Sequence, residues 1–214
     1  MDATAAELRV LGSLIEKQRT TPDAYPLSLN SLRLACNQST NRDPVVEYDE
    51  ETIRTAIAHL SRRGWVRLAS GPGSRAVKYR HLLDEALGLS RDEVAVLAVL
   101  MLRGPQTPGE LKARTERLHA FGSAAELEDV LERLLGRELA ERLPRRPGQK
   151  EARYRHLLGG GDPEPSERTL PPAPAVAYGP ADGDDRLDEL EQRVRAVEEK
   201  LSELLDSLGE PPPR

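Results

Sequence analysis

The stretch VKYRHLL at residues 77–83 returns almost letter for letter as ARYRHLL at 152–158, and each copy follows a Pro-Gly turn. Set against each other, GPGSRAVKYRHLL (71–83) and RPGQKEARYRHLL (146–158) agree at seven of thirteen positions. A basic, aromatic strand that follows a turn and occurs twice reads as the closing strand of a duplicated β-hairpin.

The residues ahead of each copy repeat as well. Leu8, Leu11, Leu14 and Ile15 correspond to Val94, Leu97, Leu100 and Met101. Both sets fall at i, i+3, i+6, i+7, which lays one apolar stripe along a helix. A short second helix follows in each half, SLNSLRLACNQ from Ser28 and TPGELKARTERL from Thr107, with Ser28 and Thr107 as N-caps and Pro108 suited to the first helical turn. A third helix is predicted from Asp49 to Arg63 with Ile53, Ala56, Ile57 and Leu60 inward. Its counterpart runs from Ser123 to Glu138 with Leu127, Leu131, Leu134 and Leu135 inward. Residues 65–68 then pair with 76–80 across one turn, and 139–143 with 152–155 across the other. Three helices and a hairpin, in that order, make a winged helix, a helix-turn-helix with a β-wing. The predicted fold is therefore mainly α with small β-hairpins (α+β): two tandem winged-helix domains, 1–86 and 87–158, followed by a C-terminal coiled-coil helix.

The tail supplies that last element. Residues 159–183 are rich in Pro and Gly and read as a flexible linker. Beyond it, Leu187, Leu190, Val194, Val197, Leu201, Leu204 and Leu208 keep a 3-4-3-4 spacing through the predicted helix 184–209. The seam predicts a homodimer; the competing reading is a solvated helix that folds back on the body.

Charge divides along the same boundary. The whole chain has a formal net charge of −5. Residues 1–158 hold 25 Lys and Arg against 22 Asp and Glu, whereas the remainder holds 6 against 14. A mildly basic body with an acidic tail keeps nucleic acid open as a partner, because the local patch sets the contact potential. The chain has no long apolar run and an acidic, amphipathic start, so the expectation is a cytoplasmic protein with no membrane partner. Cys36 is the only cysteine, which leaves no disulfide and no zinc pair. His59, His81, His119 and His156 lack close ligand spacing, and structural or surface roles are expected for them. No phosphate loop, metal cluster or nucleophile elbow is present, so neither a cofactor nor an enzymatic activity is expected.

The segment PDAYPLSLNSLRLACNQSTNRDPVVEYDEETIRTAIAHLSRRGWV (22–66), with YRHLL and the second copy behind it, resembles the YceH family of bacterial proteins. The marks are YPLSLNSLRLACNQ and NRDPV, which no generic winged helix requires. The resemblance covers roughly residues 7–158 and leaves the linker and coiled coil outside. It implies a tandem winged-helix fold and brings no catalytic residues.

Two functions compete. In the first, the protein binds double-stranded DNA as a transcription regulator would, with the third helix in the major groove and the wing on phosphate or minor groove. The first copy then offers Arg54, Thr55, His59 and Arg62 from its helix, and Arg67, Arg75, Lys78 and Arg80 from its wing. Asn41 and Arg42 would add contacts from the loop CNQSTNRDPV, beside Asn37 and Gln38; alternatively Asn37 and Asn41 turn the backbone while Arg42 pairs with Asp43 or Glu47. The second wing offers Arg142, Arg145, Arg146, Lys150, Arg153 and Arg155. Its helix, 123–138, is acidic through Glu126, Glu128, Asp129 and Glu132 and suits a protein partner. In the second function the whole chain is a winged-helix scaffold for protein–protein contacts, with no reading of DNA sequence.

Overall fold

The computed structural model describes residues 3–69, 77–145 and 151–159. The expected linker and coiled-coil seam (Leu187, Leu190, Val194, Val197, Leu201, Leu204, Leu208) lie outside the described residues, as do Arg75, Arg146 and Lys150.

The first helix, α1, spans Ala5–Thr20. Thr4 Oγ1 accepts from the Glu7 amide at 3.2 Å and Glu7 Oε2 accepts from the Thr4 amide at 3.3 Å. Two of the helix's orphan donors are thus satisfied reciprocally. A two-residue strand β1 (Leu27–Ser28) leads into α2 (Leu29–Cys36), which Ser28 caps by accepting from the Ser31 amide. Helix α3 (Glu50–Arg62) is capped by Asp49 and buries Ile53, Ala56, Ile57 and Leu60, the predicted four. Strands β2 (Val66–Leu68) and β3 (Lys78–His81) form the hairpin, and β1 adds to its free side to give the antiparallel order β1-β3-β2. That third strand was not expected from the sequence, because two residues carry no alternation to read.

A short helix α4 (Leu83–Leu87) connects to the second pass. Helix α5 (Arg91–Arg103) is followed by α6 (Pro108–Thr115), capped by Thr107, and by α7 (Ala124–Gly136), capped by Ser123. Strands β4 (Ala140–Arg142) and β5 (Tyr154–His156) close the pass. The residue corresponding to β1 is Gln106, which exchanges backbone hydrogen bonds with Tyr154 at 3.0 and 2.7 Å. In α7 the inward set is Leu127, Val130, Leu131 and Leu134; Leu135 is only half-buried, because a helix turning 100° per residue carries position 130 inward more fully than 135. The described residues thus form an α+β protein with seven α-helices and small antiparallel sheets.

One apolar core serves both passes, from Ala3 to Leu158. Helix α5 is its centre: Val94 to Leu102 are all buried, so this helix has no solvent face along most of its length. It packs on α1, and Gly12 marks the closest approach. A Cβ at that position would stand 2.9 Å from Leu102 Cγ and 3.4 Å from Met101 Cβ. The ends of that stretch also meet, where the Ala3 amide donates to Leu158 O at 3.1 Å.

Candidate nucleic-acid interface

Helix α3 turns its apolar stripe to the core and so must present Glu51, Arg54, Thr55, Ala58 and Arg62 to solvent. Arg54 is held along the helix by Glu50, at 2.5 Å from Nη2, an exposed pair of small energetic weight that a phosphate could displace. Arg62 is exposed with no acid paired to it among the described residues. His59 is drawn back toward α1, where its Nδ1 makes a 2.8 Å hydrogen bond with Glu7 Oε1. Four of the sequence-derived candidates therefore share one helix, and three of them, Arg54, Thr55 and Arg62, are exposed.

The hairpin beside α3 continues the cationic surface. Arg67 on β2 is exposed and stands directly opposite Arg80 on β3 in the antiparallel register. Like charges in that position repel, and Arg80 relieves part of the repulsion by bonding to Glu85 at 2.5 Å. Lys78 and Arg80 are half-buried, so alternation along β3 does not free them completely. The reason is that β3 is the central strand, flanked on both sides. In the second hairpin Arg142 and Arg145 are exposed with no acid paired to them among the described residues. Arg153 reaches Glu110 at 3.3 Å and Pro105 O at 2.9 Å, and Arg155 is bound to Glu141.

Arg42 is a correction to the sequence reading. Its side chain is fully buried and has no surface to offer a phosphate. Nη1 and Nη2 donate to the two oxygens of Glu16 at 3.1 and 2.6 Å, and further bonds go to Ala35 O, Asn41 O and Gln38 Oε1. The partner is thus neither Asp43 nor Glu47 but a residue one helix away. Asn41 sits at a positive φ of 59°, a conformation asparagine tolerates, and accepts from Arg103 near the C-terminus of α5. The Asp43 amide donates to Leu102 O at 2.9 Å. Asn37 clasps the far end of the loop, accepting from the Tyr48 amide at 2.9 Å and donating to Tyr48 O at 2.8 Å. Arg9, buried and with its pKa lowered by that burial, donates to Cys36 O and to Pro44 O. The loop CNQSTNRDPV is therefore a bracket that fixes the approach to α3 against α1 and α5.

The sequence reading passed over two buried glutamates that tie each third helix to its first. Glu7 faces His59 and, at 4.0 Å, Arg63; Glu93 faces Arg133 at 3.7 Å and Arg137 at 3.5 Å. The signal was present in TAAE and SRDE, the hydroxyl-x-x-Glu pattern at the start of both first helices. The remaining histidine in the first hairpin, His81, is buried. Its Nε2 is bonded to Gln18 at 2.7 Å, and its amide donates to Tyr25 Oη. Burial pulls its pKa down to about 4, against a smaller opposing effect of Asp84. Burial likewise pushes the Cys36 thiol up to about 11, which makes it an inert member of the core. No group of three metal-ligating side chains occurs among the described residues, and none of their helices is long and apolar enough to cross a membrane.

Comparison with known proteins places this arrangement among relatives. A family model described as "Protein of unknown function, DUF480" matches residues 3–149. A UPF0502 protein of Pelobacter propionicus is 48% identical over 200 residues, covering 92% of this chain and 91% of that one. A UPF0502 protein of Opitutus terrae is 47% identical over 194 residues, covering 89% and 81%. The UPF0502 protein YceH of Salmonella paratyphi B is 44% identical over 216 residues, covering 98% and 99%. That last alignment reaches past residue 158, so the likeness takes in tail residues that the motif-bearing stretch had left outside.

Proposed function

The chain belongs to the YceH (UPF0502) family, and on that footing we propose that it is a tandem winged-helix protein that binds double-stranded DNA as a transcription regulator does. The observation that carries the proposal is the outward face of α3, with Arg54, Thr55 and Arg62 continuous along one helix and Arg67 on the adjoining hairpin. Guanidinium and hydroxyl groups of this kind bond base edges and phosphates, and a helix with a hairpin beside it matches the groove-and-backbone geometry of winged helices. The order of three helices and a hairpin in each pass supports the winged-helix assignment, with strand β1 before the second helix of the first pass and a single bridging residue, Gln106, at that place in the second. Action by binding and not by catalysis fits buried ionisable groups that are engaged within the fold, Glu7 with His59, Glu16 with Arg42 and Glu93 with Arg137. The protein acts in the cytoplasm as a homodimer formed through the heptad residues Leu187 to Leu208.

A scaffold for protein contacts is the second reading, favoured by the exposed carboxylates Glu128, Asp129 and Glu132 on α7. Selection of bound duplexes from a random pool separates the two. Enrichment of a shared motif is expected if α3 reads bases. Recovery of no duplex above background would overturn the DNA proposal and leave the scaffold.

A further inference from the structure

The two passes can be laid against each other by their caps, Asp49 on Ser123, with Ile53, Ile57 and Leu60 falling on Leu127, Leu131 and Leu134. The buried stripe keeps its chemistry, whereas the outward stripe inverts. Where α3 exposes Glu51, Arg54, Thr55, Ala58 and Arg62, α7 exposes Ala125, Glu128, Asp129, Glu132 and Gly136, so the inversion runs from Arg54 onward. The hairpins diverge in the same sense. Arg67 opposite Arg80 in the first becomes Glu141 opposite Arg155 in the second, a pair that neutralises itself. The cations that α7 does carry are drawn off its outer face toward α5 and α4. Arg133 bonds to Asp92 at 2.6 Å, and Arg137 bonds to Leu87 O, with Glu93 at 3.5 Å.

Resting on the DNA reading above, we infer that only the first pass offers DNA a reading helix: α3 enters the groove and α7 stays off the duplex. Three outward carboxylates on α7 would face a polyanion carrying about one charge per 1.7 Å of axis. The second pass instead braces the first. Leu102 O and Arg103 of α5 hold Asp43 and Asn41 in the loop that leads into α3, so the angle of the reading helix is set from the second pass. Contact of the second pass with DNA is confined to its hairpin, where Arg142 and Arg145 remain outward. One chain therefore covers one half-site, and a two-half-site operator needs two chains.

The test compares two surface variants of the full chain by fluorescence anisotropy on one duplex over a salt series. The variant R54A/R62A is expected to lose about tenfold or more in affinity and about one unit of salt slope per arginine. The variant E128Q/D129N/E132Q is expected to bind within about threefold of the parent with the same slope and sequence preference, since those side chains lie beyond the contact. A larger change in the α7 variant, in either direction, or full binding by the α3 variant overturns the inference while leaving DNA binding itself intact. Failure of the parent protein to bind at low salt would instead overturn the DNA reading and this inference together.

Discussion

Replacing Glu16 with Met should destabilise the protein by about 5 kcal/mol, and replacing Arg42 with Met by about 3 kcal/mol, the two ends of the range for breaking a buried ion pair. The order follows from what each change leaves behind. Without Glu16, the fully buried Arg42 guanidinium loses both carboxylate bonds, at 3.1 and 2.6 Å. It cannot shed its proton, and the carbonyls of Ala35 and Asn41 do not balance its charge. Without Arg42, the Glu16 carboxylate has an escape: its side chain is 12% exposed and Lys17 Nζ lies 3.8 Å away. The double substitution removes both charges together and should cost less than the two singles combined, with a coupling of up to about 3 kcal/mol. Urea unfolding followed by far-ultraviolet dichroism measures all three, because a loss of this size is a large part of the ~5–15 kcal/mol that holds a domain folded. Single substitutions that each cost under about 1 kcal/mol, or a double that is simply additive, would show that the loop does not depend on this pair.

His81 predicts a pH dependence. Its folded pKa of about 4 lies below the ordinary 6.5, so the unfolded chain binds the proton more readily. The neutral ring's contribution is fully present above pH 6.5 and is lost as pH falls toward 4, by on the order of 3 kcal/mol. Unfolding curves across that window should therefore converge with those of H81Q at low pH, and parallel curves would refute the assignment. At Gly12 the substitution G12V should cost about 1–3 kcal/mol by wedging α1 from α5, since even its first carbon falls 2.9 Å from Leu102 Cγ. An unchanged melting temperature would mean that the helices part without penalty.

Much of the fold was legible because its determinants are local. The caps Ser28, Asp49, Thr107 and Ser123 sit next to the helices they start, and the stripe of α3 follows a period that the chain itself displays. Strand β1 escaped because its existence depends on β3, some fifty residues later, offering an edge. The site was legible only where exposure follows from the helical period, as at Arg54, Thr55 and Arg62. Arg42 was misread because its burial depends on Glu16 arriving from another helix, and nothing between residues 37 and 48 signals that. The sequence does show that the 123–138 helix is acidic. That Arg133 and Arg137 turn away from the face shared by Glu128, Asp129 and Glu132 depends on partners in α5 and α4 that the helix's own sequence does not reveal.

Titrating the full-length protein onto a labelled genomic duplex at stepwise salt concentrations tests DNA binding most directly. Affinity should fall as a power of salt concentration, with a slope of about −0.9 for each phosphate neutralised. Absence of binding at the lowest salt, or binding indifferent to salt, would contradict it.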